Sequence, residues 1–122
     1  MIGIDLIEIE RMERLLQRFG QKGLERFLLP SEIERCHSAQ SAAALWAAKE
    51  AIAKALGTGI GKELGFKDIE IIKDERGAPK VRLDPTVQEA FGIEEVAISL
   101  THDGGFAAAA AIVVRSAPAG KS

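Results

Sequence analysis

At 122 residues the chain is long enough for one domain with a moderate core, and its 47% hydrophobic and 28% charged content is that of an ordinary globular protein. A net charge of −2 supplies no overall basic field for nucleic acid, and the few aromatic residues, with tyrosine absent, argue against a base-stacking surface. The longest unbroken apolar run, Phe106 to Val114, is under half of the ~20 residues a membrane-spanning helix needs, and the one cysteine, Cys36, has no internal disulfide partner, so a reducing cytoplasm is the expected setting.

Ile2 to Ile7 reads as a strand, with Ile2, Ile4 and Leu6 on one face and Gly3, Asp5 and Ile7 on the other. Because this pattern begins at once, no leader peptide is expected. Aspartate is disfavoured in strands, so Asp5 is either an edge or capping residue or a functional one. Glu8 to Phe19 has the spacing of an amphipathic helix, with Ile9, Met12, Leu15, Leu16 and Phe19 on one side. Arg11, Arg14 and Arg18 recur at intervals of three and four on another side, as a solvated face or as a docking stripe for an acidic helical partner. A short helical stretch, Lys22 to Leu28, stops before Pro30, and Ser31 reads as the N-cap of another short helix.

The spacing then predicts a long helix from Ser41 to Leu56, rich in alanine and ended by Gly57. Three charges interrupt its apolar run. Glu50 and Lys54 share one face, while Lys49 lies about 100° round from Glu50. On an exposed helix this would be a solvated pair; the surrounding alanines and Trp46 point instead to a buried element and a close approach by backbone or ligand. The loop Gly57-Thr58-Gly59-Ile60-Gly61 is no standard phosphate loop, since Glu63 follows Gly61-Lys62 and the glycines come after a helix rather than before one.

Phe66 to Lys73 and Lys80 to Leu83 read as a hairpin joined by Asp74 to Pro79. Thr86 to Phe91 is a short helix with Pro85 at its start and Gly92 at its end. Glu95 to Thr101 and Phe106 to Arg115 are strands about the turn Asp103-Gly104-Gly105, although the five alanines of the second prefer helix locally. Residues 116–122 have the composition of a flexible tail behind a single domain, 1–115. Asp5 and Glu50, each in an unusual setting, suit Mg²⁺, which one or two carboxylates hold while water and substrate phosphates complete its shell; Lys49 and Lys54 are candidates to hold those phosphates.

Four stretches carry a resemblance. Gly3-Ile4-Asp5 with Glu8-Ile9 and Arg11 resembles the opening motif of the bacterial holo-acyl-carrier-protein synthases, and Trp46-Ala47-Ala48-Lys49-Glu50-Ala51-Ile52-Ala53-Lys54-Ala55 resembles their second signature. Asp68 to Ile71 with Gly77-Ala78-Pro79, and Ser99 to Asp103, match two further family stretches in the same order. The resemblance implies a 4′-phosphopantetheinyl transferase of the single-length type. Such an enzyme moves the phosphopantetheine arm of coenzyme A to a serine of apo acyl carrier protein, in fatty acid biosynthesis, and releases adenosine 3′,5′-bisphosphate.

It further implies an α+β fold, an antiparallel sheet packed against a long central helix with short helices around it, assembled as a homotrimer with sites between subunits. On this resemblance Asp5 and Glu50 match the Mg²⁺ ligands. Lys54, with Lys49, would hold the pyrophosphate, and Glu50, directly or through a metal-bound water, would take the serine proton. Gly57, Thr101 and His102 would contact the coenzyme A nucleotide, His102 near its 3′-phosphate. Arg11, Arg14 and Arg18 would dock the acidic helix of the carrier protein. Leu45 stands where many members carry arginine. Two other readings are a non-catalytic coenzyme A-binding module of the same fold and an interaction protein using the arginine helix.

Overall fold

The alternation that opens the chain is realised as a strand, and the elements follow in the order β1 (Ile2–Glu8), α1 (Ile9–Phe19), α2 (Gln21–Glu25), α3 (Pro30–Glu34), α4 (Ala39–Leu56), β2 (Ile69–Lys73), β3 (Pro79–Leu83), α5 (Pro85–Phe91), β4 (Ile93–Asp103) and β5 (Phe106–Arg115). The computed structural model describes residues 1–116, so the tail expected over residues 116–122 lies, from 117 onward, outside the described residues. The fold is α+β. Its strands form two antiparallel sheets rather than one: a three-stranded sheet in the order β1-β5-β4, and the separate β2-β3 hairpin. The first hairpin strand is shorter than the expected Phe66 to Lys73, because Phe66–Asp68 is wound as a 3-10 turn with the Asp68 carboxylate accepting from the Gly65 amide at 2.8 Å.

β5 is a strand despite its alanines because it is paired on both sides, with β1 from Ile2↔Ile112 to Glu8↔Phe106 and with β4 from Ile93↔Arg115 to Asp103↔Phe106. Partner strands on both edges outweigh a local helical preference. Alanine also suits its inner face: Ala107, Ala109 and Ala111 are buried beneath α4, itself buried at Ala42, Ala43, Ala47, Ala48, Ala51, Ile52, Ala53, Ala55 and Leu56. A helix apolar nearly all round is a core helix. Ser38 caps α4 by accepting from the Ser41 amide at 3.0 Å, and Gly57 ends it in the left-handed conformation at φ 81°.

The short helix α3 corrects one expectation. Pro30 occupies its first turn and Leu29 its cap position, so Ser31 lies inside the helix, its hydroxyl donating to Glu70 at 2.6 Å. The other face of the three-stranded sheet is uncovered: Ile2, Ile4, Leu6 and Ile112 are 71, 65, 62 and 51% exposed.

Candidate active site

Asp5 projects from the buried face of β1 toward the last turns of α4, where its carboxylate accepts from the Lys54 ammonium at 2.7 Å. Asp5 is largely shielded there while Lys54 stays half exposed, so the pair opens toward solvent. Glu50 stands one turn before Lys54 on the same face. Burial and then the neighbouring Asp5 charge push its carboxyl above the usual carboxylate range, while Lys54 and Arg11 pull it back. The structure therefore brings Asp5, Glu50, Lys54 and Arg11 into one electrostatic neighbourhood, with Gly57 a turn beyond.

Two opposed carboxylates form a hard-oxygen donor set whose mutual repulsion a divalent cation relieves. Among the described residues no cluster of three or more metal-ligating side chains occurs. Two acids alone still fit Mg²⁺, which takes one or two carboxylates and fills its shell with water and phosphate oxygens.

Lys49 requires a correction. Its ammonium is fully buried, donating to Glu32 at 2.7 Å and to the carbonyls of Phe27 at 2.9 Å and Phe66 at 3.1 Å. Every donor is engaged in the core, away from the Asp5–Lys54 pair, so it is not placed to hold a phosphate. Burial lowers its pKa and Glu32 raises it again. Glu32 also accepts from the Leu29 amide at 2.7 Å and the Ile71 amide at 2.8 Å, tying α3, α4 and β2 together. Nothing local in the sequence marks Glu32 for this role, because a partner seventeen positions away leaves no signature beside it.

His102 lies at the other end of α4, on a cleft of about 650 Å³ that it shares with Glu8, Glu10, Glu13 and Gln40. Gln40 and Glu50 are ten residues apart on α4, a rise of ~15 Å, and β4 is two strands from β1, so within one protomer His102 lies beside α1 and the start of α4 rather than at the carboxylates. Thr101 faces the opposite side of the sheet from His102, on the uncovered apolar face opposite Ala108. Arg11, Arg14 and Arg18 are all exposed on α1; Arg14 pairs with Glu10 at 3.1 Å, and Arg18 and Arg26 both lie against the Phe19 ring.

The profile of the 4′-phosphopantetheinyl transferase superfamily matches residues 1–111. The chain belongs to that superfamily. It is 56% identical over 115 residues to the holo-[acyl-carrier-protein] synthase of a Nitratiruptor species, covering 94% of this chain and 99% of that protein. It is 55% identical over 109 residues to the holo-[acyl-carrier-protein] synthase of Wolinella succinogenes, covering 89% and 92%. The crystal structure of the Helicobacter pylori holo-[acyl-carrier-protein] synthase in complex with coenzyme A superposes with a TM-score of 0.91 at 47% identity, covering 93% of this chain and 100% of that one.

Proposed function

We infer that this chain, acting as a single transferase domain over residues 1–115, moves the 4′-phosphopantetheine group of coenzyme A to a serine of apo acyl carrier protein. The observation that carries this reading is the meeting of Asp5, Glu50 and Lys54 at the end of α4 in a chain similar over nearly its whole length to holo-acyl-carrier-protein synthases. In the reaction the serine oxygen forms a bond to the phosphorus carrying the pantetheine arm. The bond from that phosphorus to the departing nucleotide phosphate breaks, and adenosine 3′,5′-bisphosphate leaves.

Asp5 and Glu50 would hold Mg²⁺, which when bound neutralises the diphosphate and the charge gathering on the leaving phosphate. Lys54 lies at the mouth of the site, its charge offered to the diphosphate oxygens. Glu50, directly or through a metal-bound water, would take the serine proton. Gly57, exposed and without a side chain, lets the nucleotide approach the backbone. The product serves fatty acid biosynthesis, and the lone thiol of Cys36 suits a cytoplasmic setting. Among the described residues no helix is long and apolar enough to cross a membrane.

The test is mass spectrometry of an apo carrier protein incubated with this protein, coenzyme A and Mg²⁺. A mass gain of one phosphopantetheine supports the transferase; coenzyme A binding without any gain points to a non-catalytic module.

Arg14 and Arg18 give the docking stripe a clean readout. Reversing both to glutamate is expected to raise the KM for carrier protein tenfold or more, about 1.4 kcal/mol, and to flatten its salt dependence with little change in kcat. Arg11 also acts on Glu50, so its reversal should lower kcat as well. Equal effects from all three would argue against separate docking and site roles.

The uncovered apolar face of the three-stranded sheet supports assembly as a homotrimer, since contiguous exposed apolar surface marks an interface. So does the separation of His102 from the carboxylates, which a neighbouring subunit's His102 would close. Light scattering is expected to give three times the protomer mass, and Ile4→Asp with Leu6→Asp to give inactive monomers. A wild-type protein that is monomeric and fully active would rule this assembly out.

A further inference from the structure

Gly3 lies where β1 crosses α4, and a Cβ there would overlap the Ala51 carbonyl oxygen and come within 2.6 Å of the Ala55 amide nitrogen. Both contacts are with helix backbone, so no side-chain movement makes room. The turn of α4 that receives Gly3 is also the turn of the site: Glu50 and Lys54 immediately precede Ala51 and Ala55. Asp5 is two residues beyond Gly3 on the same strand face, and its carboxylate already meets Lys54 at 2.7 Å. An aspartate places its carboxylate one methylene from the backbone, so its reach is fixed by how near β1 lies to α4.

We propose that Gly3 is a positioning residue: by leaving β1 in backbone contact with α4, it sets the spacing at which the short carboxylate of Asp5 reaches the Glu50–Lys54 turn. The inference rests on the reading of Asp5 and Glu50 as the acids of the site. It makes the pairing of glycine and aspartate a matter of length, in which neither residue is interchangeable with a larger homologue on its own. Ala51 and Ala55 complete the contact, since their small side chains let the helix lie against the strand.

The experiment compares Asp5→Ala, Asp5→Glu, Gly3→Ala and the Gly3→Ala/Asp5→Glu double variant in the full chain. It measures transfer kinetics, calorimetric binding of coenzyme A with and without Mg²⁺, and circular dichroism melting. Gly3→Ala is expected to lower kcat about a hundredfold and to weaken Mg²⁺-dependent coenzyme A binding, with the KM for carrier protein within about twofold of wild type. Asp5→Glu in the native background is expected to lower kcat because the longer acid overshoots. In the Gly3→Ala background the same change is expected to raise kcat and restore Mg²⁺-dependent binding.

A purely structural role for Gly3 would show no such recovery, and a folded Gly3→Ala protein whose losses Asp5→Glu does not reduce overturns the proposal. If Gly3→Ala does not fold, Asp5→Glu alone decides: wild-type kcat and Mg²⁺ dependence overturn it, and loss of both supports it. Full activity in Asp5→Ala overturns the two-acid reading itself, whatever the Gly3 variants do.

Discussion

Replacing Glu50 with glutamine lowers transfer by at least ~10²–10⁴-fold, the range a positioned general base contributes, while the protein keeps its fold. Glutamine preserves the shape of the side chain and removes its charge, so the loss reads the carboxylate and not the packing. The fold has nothing to lose, because Glu50 is a group that burial and Asp5 make costly to ionise. Its folded pKa lies above its unfolded value. The stability it contributes is therefore present at acid pH and lost as pH rises through the folded pKa. In chelator-treated protein the melting temperature of Glu50→Gln should match wild type near pH 4 and equal or exceed it at neutral pH. Full transfer activity in this variant, measured by carrier-protein mass gain, would remove Glu50 from the chemistry. A Glu50→Gln protein that melts below wild type at neutral pH, with the gap closing toward acid, would show that Glu50 is stabilised in its ionised form.

The second large effect is on stability and falls outside the site. Glu32 and Lys49 are both fully buried, and together they hold two carbonyls and two amides of three different segments. Removing one partner of a buried ion pair costs about 3–5 kcal/mol because the other charge is left uncompensated. Lys49→Met leaves Glu32 with the Leu29 and Ile71 amides. Glu32→Met leaves Lys49 with two carbonyls and strands both amides, so it should be the worse of the two. Either is expected to lower the melting temperature by ~10 °C or more. Glu32→Gln combined with Lys49→Met should recover only part of the loss, since no charge stays buried but the Gln NH₂ faces one of the two backbone N–H groups that the carboxylate satisfied. Calorimetry of the two single variants and this double variant checks the order. Single variants that melt within a degree or two of wild type would mean that water reaches this pair.

The difference between Glu50 and Lys49 marks how far the chain can be read without coordinates. An acid in a strand beside a glycine, and a Glu–Lys pair inside an alanine helix, are local incongruities, and they led to Asp5, Glu50 and Lys54. Lys49 presents the same incongruity one residue earlier. Its fate depends on what faces it across the core, namely Phe27, Glu32 and Phe66, and those partners come from segments whose docking leaves no periodicity. The same limit applied to His102: its place on a strand end was legible, but its distance from the carboxylates follows from which end of α4 the β4–β5 turn meets. Helix termini fixed by glycine or proline were legible at Gly57 and Gly92. The cap of α3 was misplaced because Pro30 starts a helix as readily as it precedes one. The separation of the hairpin from the main sheet is set by tertiary packing, which alternation along β2 and β3 does not encode.

The seam of alanines between α4 and β5 has a consequence for how the chain can vary. Methyl groups keep two backbones near each other but bring little oily surface out of water, so this region holds its shape by tolerance rather than by bulk. One added carbon at Ala47, Ala51, Ala107 or Ala109 has nowhere to go, whereas the same addition on the outer rim of the hairpin meets solvent. Sequence drift should accordingly collect at the periphery, and the proposed site lies against the stretch of the molecule least able to absorb it.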